Sequence, residues 1–578
     1  MALHIRTEPG IELPAYANAV LQSMFADYHQ LVIKKEFGRG FSGGRVFLLR
    51  PIRSERPDLP AVVKMGPAAL ISREWDAFQA YIRHRLPNVA NIEGEPIFSD
   101  DNQWGGLRYP LVGNGLYETG SLLEYALGAS IEDMEYALNE RLFKSMSVLW
   151  DDHTPAAEFP LRASYDAILP VNLVVAAANL PSSIPMRQLS PQTALTNSYQ
   201  MGELVMLDGF RVTEVDREQH ELTLNLAADS SFRMHVRAVP DIAAYQENQL
   251  LAQPLTGAVI GTRQMLLQQL AEQALGSEVN LAGEKVFLPD GTAVSNPLHC
   301  LPDILRMSID ARVGSVHGDL NLENVLVEYD QRNCVINLID FASARRDHVL
   351  HDFLRLETGF LLYLLPQVMT EAGLTLDALR PFLEALHLAL GNGGETAVAP
   401  ALEKPFAIVR MIRRAAQPYL SQHRGWTDYY HGLTLYLLGA LKFKNLDTYQ
   451  TKPKPKVVAF WTAALVQHIL KNPPQPAVSR QGQPAISSQS TKNFAIKEGA
   501  MVDHRTLLQL FSVLDKQLNE TELQQLCFML GVNYSDLPGQ TRALKIQELL
   551  QYLNRRHRVA EMVTTAAVVN DSLDWPAM

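Results

Sequence analysis

Cysteine is scarce: Cys300, Cys334 and Cys527 lie far apart in 578 residues and show no metal-ligand spacing. That argues against a disulfide framework and for a reducing compartment. A basic excess is missing too. The net charge of −11 speaks against a general nucleic-acid binder, so nucleic acid is not an expected partner. Long apolar runs are absent: Phe360 to Leu365 and Leu433 to Leu438 fall far short of a membrane span. The first residues, MALHIRTEPGIELPAY, lack the basic start and apolar stretch of a secretory signal. These absences together place the chain in the cytoplasm, away from membranes. No fixed-period repeat is present.

What remains has a globular composition, 47% hydrophobic and 20% charged, in a chain too long for a single ordinary core. One segment, 472–498, is rich in Pro, Gln and Ser and cannot bury enough surface to fold. It reads as a flexible linker ahead of a helical module, 499–578. Upstream, Leu31 to Leu49 and Ala61 to Lys64 read as strands, and Ile71 to Ile82 carries a helical apolar spacing. Between about 160 and 240 the pattern changes. Phe210, Val212, Leu222, Leu224, Leu226, Phe232, Met234 and Val236 alternate with polar residues, the signature of a small antiparallel unit, with a five-stranded barrel as one form. From His348 to about Lys471 helical spacing dominates.

The chemistry concentrates in His317-Gly318-Asp319-Leu320-Asn321-Leu322-Glu323-Asn324, followed after a strand-like segment by Ile339-Asp340-Phe341. Phosphoryl transfer from a nucleotide needs a carboxylate near the acceptor hydroxyl, and an amide and a second carboxylate to hold metal ions on the phosphates. Asp319 can be the first, Asn324 and Asp340 the others. His317 is assigned to support the loop rather than to act as base. Upstream, Gly38-Arg39-Gly40-Phe41-Ser42-Gly43-Gly44 could let backbone N–H groups approach phosphate oxygens, with Gly38, Gly40, Ser42 and Gly43 as candidates. Lys64, on the apolar strand Ala61-Val62-Val63-Lys64-Met65, could neutralise phosphates, and Glu74 on the next helix could hold it. Asp352 reads as a structural carboxylate.

HGDLNLENVLV followed by NLIDFASA resembles the aminoglycoside phosphotransferase and choline kinase branch of the protein-kinase-like fold. The resemblance spans roughly Leu31 to Leu470. It implies two lobes, an N-lobe over 1–113 and a C-lobe over 114–471, with ATP or GTP as donor and Mg2+ as cofactor. It makes Asp319 the catalytic base, Asn324 and Asp340 the metal ligands, and Lys64 the phosphate-binding lysine with Glu74 its partner. Two departures stand out. A long stretch, including the alternating β unit, separates the hinge-like Arg108 to Val112 from His317, and Phe341-Ala342 replaces the usual Phe-Gly.

At the other end, Leu-Asn-Glu-Thr-Glu-Leu from Leu518, then Leu526-Cys527, Leu530-Gly531-Val532, Tyr534 and Leu537-Pro538-Gly539, resembles the effector-associated domains of bacterial conflict systems. Those are death-like helical adaptors that pair with a like domain on another protein. The segment Gly40 to Phe47, GFSGGRVF, is similar to the start of kinase-like domains associated with ternary conflict systems. The expected architecture is therefore α+β: a two-lobed kinase-like fold, an inserted small β unit and a C-terminal all-α death-like bundle. Two functions stay open. One is an active phosphotransferase with an unidentified acceptor, recruited to an effector protein. The other is a nucleotide-binding scaffold that signals without catalysis. Direct antibiotic phosphorylation fits less well, because it needs neither linker nor adaptor.

Overall fold

The computed structural model describes residues 3–474 and 504–569, apart from 38–43, 54–55, 88, 112–117, 182, 195–198, 227–231, 331–333, 391–397, 519, 531, 533, 535–536, 538–540 and 557. The glycine-rich Gly38, Gly40, Ser42 and Gly43 and most of the Pro/Gln/Ser segment lie outside the described residues. The chain forms two compact units, 1–477 and 478–578.

The first unit begins with a mixed sheet in the order His4–Thr7, Gln30–Phe37, Arg45–Arg53, Ala61–Pro67, Trp104–Pro110, Ile97–Phe98, with Arg56–Pro57 on the flank of the third strand. Strand alternation builds its core: Leu31 and Ile33, Phe47 and Leu49, and Val63 and Met65 are all fully buried against Val20, Leu21 and Phe25. Lys64 lies between Val63 and Met65, so the same alternation turns it to the opposite face. The helix Ala68–Ala77, continued by the π-helical turn Phe78–Ile82, packs on that face.

A second lobe is mostly helical. Trp426–Ala440 is buried almost all round, as an apolar helix at the centre of a large core should be. A buried ion pair fastens its neighbours. Arg413, on Glu403–Ala416, reaches Glu357 on Leu350–Gly359 at 2.7 Å, and Tyr429 of the central helix donates to the same carboxylate at 2.6 Å. Removing one partner of such a pair typically costs about 3–5 kcal/mol, because the other charge is stranded. The helix Leu350–Gly359 is thereby fixed in place.

Inserted in the sequence of the second lobe is a seven-stranded sheet, ordered Arg187–Leu189, Leu204–Leu207, Leu255–Thr262, Leu173–Ala177, Met234–Arg237, Glu221–Asn225, Arg211–Asp216. It encloses its own core, including Leu173, Val205, Phe210, Leu224, Met234 and Val259. The sequence suggested five strands within about 160–240; the sheet has seven and spans 173–262. The shift has two causes. Thr154–Pro160 pairs with Ser308–Val316, and Leu161 and Tyr165 bury in the C-lobe core, so the stretch before 173 belongs to that lobe. At the other end, the buried face of Leu255–Thr262 alternates apolar residues with glycine: Leu255, Gly257, Val259 and Gly261. A Cβ on Gly257 would lie 2.2 Å from the carbonyl oxygen of Ala176, so only glycine permits that strand pairing.

Among the described residues the second unit has four helices, His504–Gln517, Glu520–Met529, Arg542–Arg555 and Val559–Val569. Leu510, Leu514, Leu523, Leu526, Ile546, Leu549, Leu553 and Met562 make its core. Asn519, Gly531, Pro538-Gly539 and Trp575 lie outside the described residues. Among the described residues no helix is long and apolar enough to cross a membrane.

Candidate active site

The strand Ser308–Val316 runs into His317-Gly318-Asp319, and the hairpin Val325–Tyr329 and Cys334–Leu338 returns the chain to Asp340. The loop between them is held from beneath by Asp352, which is fully buried. Its Oδ2 accepts from the His317 N–H at 2.9 Å and from Trp150 Nε1 at 3.0 Å; its Oδ1 accepts from the Gly318 N–H at 2.9 Å. Burial pushes the Asp352 carboxyl upward, and these donors oppose it. The sequence reading gave Asp352 a structural role on its helix. Its contacts show that the structure it anchors is the loop itself.

Gly318 has φ +80°, and a Cβ there would meet the carbonyl oxygen of Ser343 at 2.1 Å. Both the backbone angle and the space demand glycine. His317 is buried, and its Nε2–H donates to the carbonyl of Ile339 at 3.0 Å, next to Asp340. The backbone N–H of Ile339 donates to the carbonyl of Asn324, which sets Asn324 beside the Asp340 segment. Asp340 itself adopts a left-handed φ of +63°.

Across the lobes, Lys64 Nζ lies 2.7 Å from Glu74 Oε2 and 3.0 Å from Asp340 Oδ1. Glu74 is fully buried, and Tyr109 donates to its Oε1 at 2.6 Å. Burial alone would lower the Lys64 pKa, but the two carboxylates outweigh it and hold the ammonium above its usual value. Gly44, where the glycine-rich stretch rejoins the sheet, packs against this lysine: a Cβ there would lie 3.3 Å from Lys64 Cε.

Asp319, whose side chain is 37% exposed, accepts from Arg355 Nε at 2.7 Å and from Asn321 Nδ2 at 3.1 Å. Burial tends to raise its pKa, but Arg355 prevails and holds it below the ordinary carboxylate range. Asn324 donates Nδ2 to the Asp319 carbonyl at 2.9 Å, so its Oδ1 is the atom left for a cation. The oxygen-only pair of Asn324 and Asp340 suits a hard cation such as Mg2+, which takes one or two protein oxygens and fills the rest from phosphates and water. No group of three or more His, Cys, Asp or Glu side chains that could hold a metal ion occurs among the described residues.

The structure thus brings together Lys64, Glu74, His317, Asp319, Asn324 and Asp340. Sequence reasoning missed Arg355, Tyr109 and the contacts of Asp352. The basic run Arg555, Arg556 and Arg558 of the C-terminal unit reads in the sequence as a free charged surface. Arg558 is instead engaged at home: it pairs with Glu561 at 2.6 Å and donates to the Leu530 carbonyl at 3.0 Å. Arg556 lies over the Tyr552 ring at 4.4 Å. The Arg555 side chain falls outside the described residues.

Two lobes, with a lysine–glutamate pair in the first and an HGD loop in the second, define a kinase-like fold. The chain belongs to the family described as Ternary complex associated domain 9, which it matches over residues 29–442. Residues 507–570 match Effector-associated domain 7. No curated protein matches the chain. Among solved structures it is similar to a thermostable mutant of aminoglycoside phosphotransferase APH(4)-Ia in ternary complex with ADP and hygromycin B, at 9% identity and TM-score 0.32, covering 78% of this chain and 97% of that one. The microcompartment-associated aminopropanol kinase is similar at 12% identity and TM-score 0.29, covering 78% and 97%. Amicoumacin kinase hAmiN in complex with AMP-PNP, Ca2+ and Ami is similar at 12% identity and TM-score 0.30, covering 79% and 93%.

Proposed function

We propose that the protein is a phosphotransferase that moves the γ-phosphoryl group of ATP or GTP to a hydroxyl acceptor, and that its C-terminal unit recruits an effector protein. Asp319 takes the acceptor proton as the hydroxyl oxygen bonds to the γ-phosphorus and the bond to the β-phosphate oxygen breaks. Lys64, oriented by Glu74 and Tyr109, binds donor phosphates. Asn324 and Asp340 hold Mg2+, which neutralises charge on the phosphates. Gly38, Gly40, Ser42 and Gly43 cradle the phosphates, and His317 stiffens the loop. The observation that carries this reading is the Lys64 ammonium, 2.7 Å from Glu74 and 3.0 Å from Asp340, which links both lobes at one point. The family matches favour a signalling role in a bacterial conflict system, and we propose the cytoplasm as its place of action.

A second reading, a nucleotide-binding scaffold, is favoured by one contact: Arg355 neutralises Asp319 at 2.7 Å. Labelled nucleotide separates the two. A phosphotransferase consumes it with Mg2+, loses turnover in Asp319→Ala and loses Mg2+-dependent binding in Asp340→Ala. A scaffold binds it without turnover in either the parent or Asp319→Ala. Unchanged Mg2+-dependent affinity and turnover in Asp340→Ala would overturn the site assignment altogether.

A further inference from the structure

The arginine beside the proposed base is bound less fully than others of its kind in the first unit. Three arginines that hold buried carboxylates there spend every guanidinium nitrogen on the protein. Arg413 gives Nε and Nη2 to Glu357 and Nη1 to the Tyr430 hydroxyl. Arg345 gives Nε and Nη2 to Asp347 and Nη1 to the Ser343 carbonyl. Arg263 uses all three on Asp166 and the Pro170 carbonyl. Arg355 spends one. Its Nε donates to Asp319 Oδ1 at 2.7 Å, and among the described residues neither Nη has a protein partner. Neither Nη is sealed from solvent, although the side chain as a whole is only 20% exposed.

A guanidinium that served only to neutralise a carboxylate would meet it with both arms, the strongest geometry for that pair. Here Asp319 takes Nε alone, and its other oxygen accepts from Asn321 at 3.1 Å. The guanidinium lies 5.6 Å from the centroid of the Phe443 ring, a contact that steadies its plane and leaves the Nη edge open. The helix beneath it is locked as well, through Asp352 to the HGD loop and through Glu357 to Arg413. The open edge is placed where the chemistry happens. Since Nε marks one oxygen of Asp319, the Nη donors sit within one guanidinium width of the carboxylate that meets the acceptor hydroxyl. Asn324 bonds the Asp319 carbonyl at 2.9 Å, and its own carbonyl accepts the Ile339 N–H, next to Asp340. A phosphoryl group moving from a donor held at Asn324 and Asp340 to a hydroxyl at Asp319 passes this edge.

We propose that Arg355 is a catalytic residue, holding Asp319 through Nε and contacting the transferring γ-phosphoryl group through its Nη donors. The inference rests on the phosphotransferase reading, and it gives a productive role to the one contact that favours a scaffold. In the step, the acceptor oxygen bonds to the γ-phosphorus and its proton passes to Asp319. The bond from the γ-phosphorus to the β-phosphate oxygen breaks, and its electron pair leaves on the nucleoside diphosphate. Negative charge is spread over the three equatorial oxygens during transfer, and a guanidinium already in position stabilises it without reorganisation. Lysine cannot replace it, because a single ammonium lacks the rigid fork that serves two groups at once.

The test is calorimetric titration of the full chain with ADP and Mg2+, with and without aluminium fluoride, which takes the place of the transferring phosphoryl group and needs no acceptor beyond water. In the parent, aluminium fluoride is expected to tighten ADP binding at least tenfold, as a transition-state analogue should. Arg355→Gln keeps a donor for Asp319 and removes the charge; Arg355→Lys keeps donor and charge and removes the second arm. Both are expected to bind ADP and Mg2+ within twofold of the parent and to lose the tightening. Tightening that survives in Arg355→Gln makes the arginine a positioning residue only, and tightening that survives in Arg355→Lys reduces it to a charge beside Asp319; either overturns the assignment. So does loss of ADP binding itself in both variants, which would make Arg355 structural. Aluminium fluoride that has no effect on a parent that binds ADP is a different failure: it removes the phosphotransferase reading, leaves the scaffold, and takes the catalytic arginine with it.

Discussion

Gly318→Ala offers the sharpest test of the HGD loop, because the structure contains its own control. Gly318 and Gly276 share almost the same backbone angle, φ +80° and +81°. An alanine at either position is strained by about 1–3 kcal/mol through its positive φ alone. The surroundings differ. Nothing lies within 4 Å of a Cβ on Gly276, which ends the helix Arg263–Leu275. A Cβ on Gly318 would sit 2.1 Å from the Ser343 carbonyl oxygen and 2.5 Å from Arg345 Nη1. That oxygen already accepts from the same Arg345 nitrogen at 3.0 Å, so neither atom retreats without breaking the contact. Overpacking of this kind adds about 1–3 kcal/mol. Gly318→Ala should therefore lower stability by about 2–6 kcal/mol and Gly276→Ala by about 1–3 kcal/mol. The denaturant midpoint at constant slope, followed by tryptophan fluorescence, reads the difference. The clash also pushes on the segment that follows Asp340, so AMP-PNP binding should weaken in Gly318→Ala and hold in Gly276→Ala. Equal midpoints for the two variants, with nucleotide binding intact in both, would refute the claim that Gly318 is wedged under residue 343.

Lys64→Met strands the buried Glu74 carboxylate and should cost about 3–5 kcal/mol; adding Glu74→Gln should recover most of that stability but none of the nucleotide affinity, and recovery of both would make Lys64 purely structural. His348 and His351 are buried, and burial lowers their pKa values to about 4 and about 3. Protonation therefore favours the unfolded chain, so stability is full above about 6.5 and falls as the pH drops from there toward 4; a flat unfolding free energy across that window, or one that His351→Gln leaves equally steep, would contradict it. A fragment comprising 499–578 should unfold in one cooperative transition at the midpoint it shows in the full chain, since its core draws only on its own helices; a fragment that cannot fold would remove the basis for a separable adaptor.

The parts of the site that were legible in the sequence are those whose position follows from local periodicity. Lys64 faces away from Val63 and Met65 because a strand alternates. Asp319, Asn324 and Asp340 lie on one short loop and the end of the next hairpin, so their spacing alone brings them near each other. The inserted sheet was half legible. Its inner strands alternate clearly, but Leu173–Ala177 pairs with Leu255–Thr262 and, in parallel, with Met234–Arg237, and pairings of that range leave no local mark. The arginines near the C-terminus show the same limit from the other side: a basic run reads as a free surface until Glu561 and the Leu530 carbonyl are seen to occupy Arg558.

What the sequence hid most completely was the role of one helix. Leu350–Gly359 carries Asp352 and Arg355, three apart and so on one face, and Glu357 on another. The first holds the backbone of His317 and Gly318, the second holds Asp319, and the third locks the helix to Arg413 and Tyr429. Each contact crosses more than thirty residues of chain, which no spacing rule reaches. A signal was nonetheless present. Three charged residues interrupt the apolar run HDFLRLETGFLLYLL in a segment that composition buries, and a buried charge must have a partner. The partners needed are a set of backbone N–H groups, a carboxylate and a guanidinium. The HGD loop supplies the first two. Asking where those charges go would have led from the helix back to Asp319, and to the conclusion that the proposed base is positioned by an arginine rather than standing free.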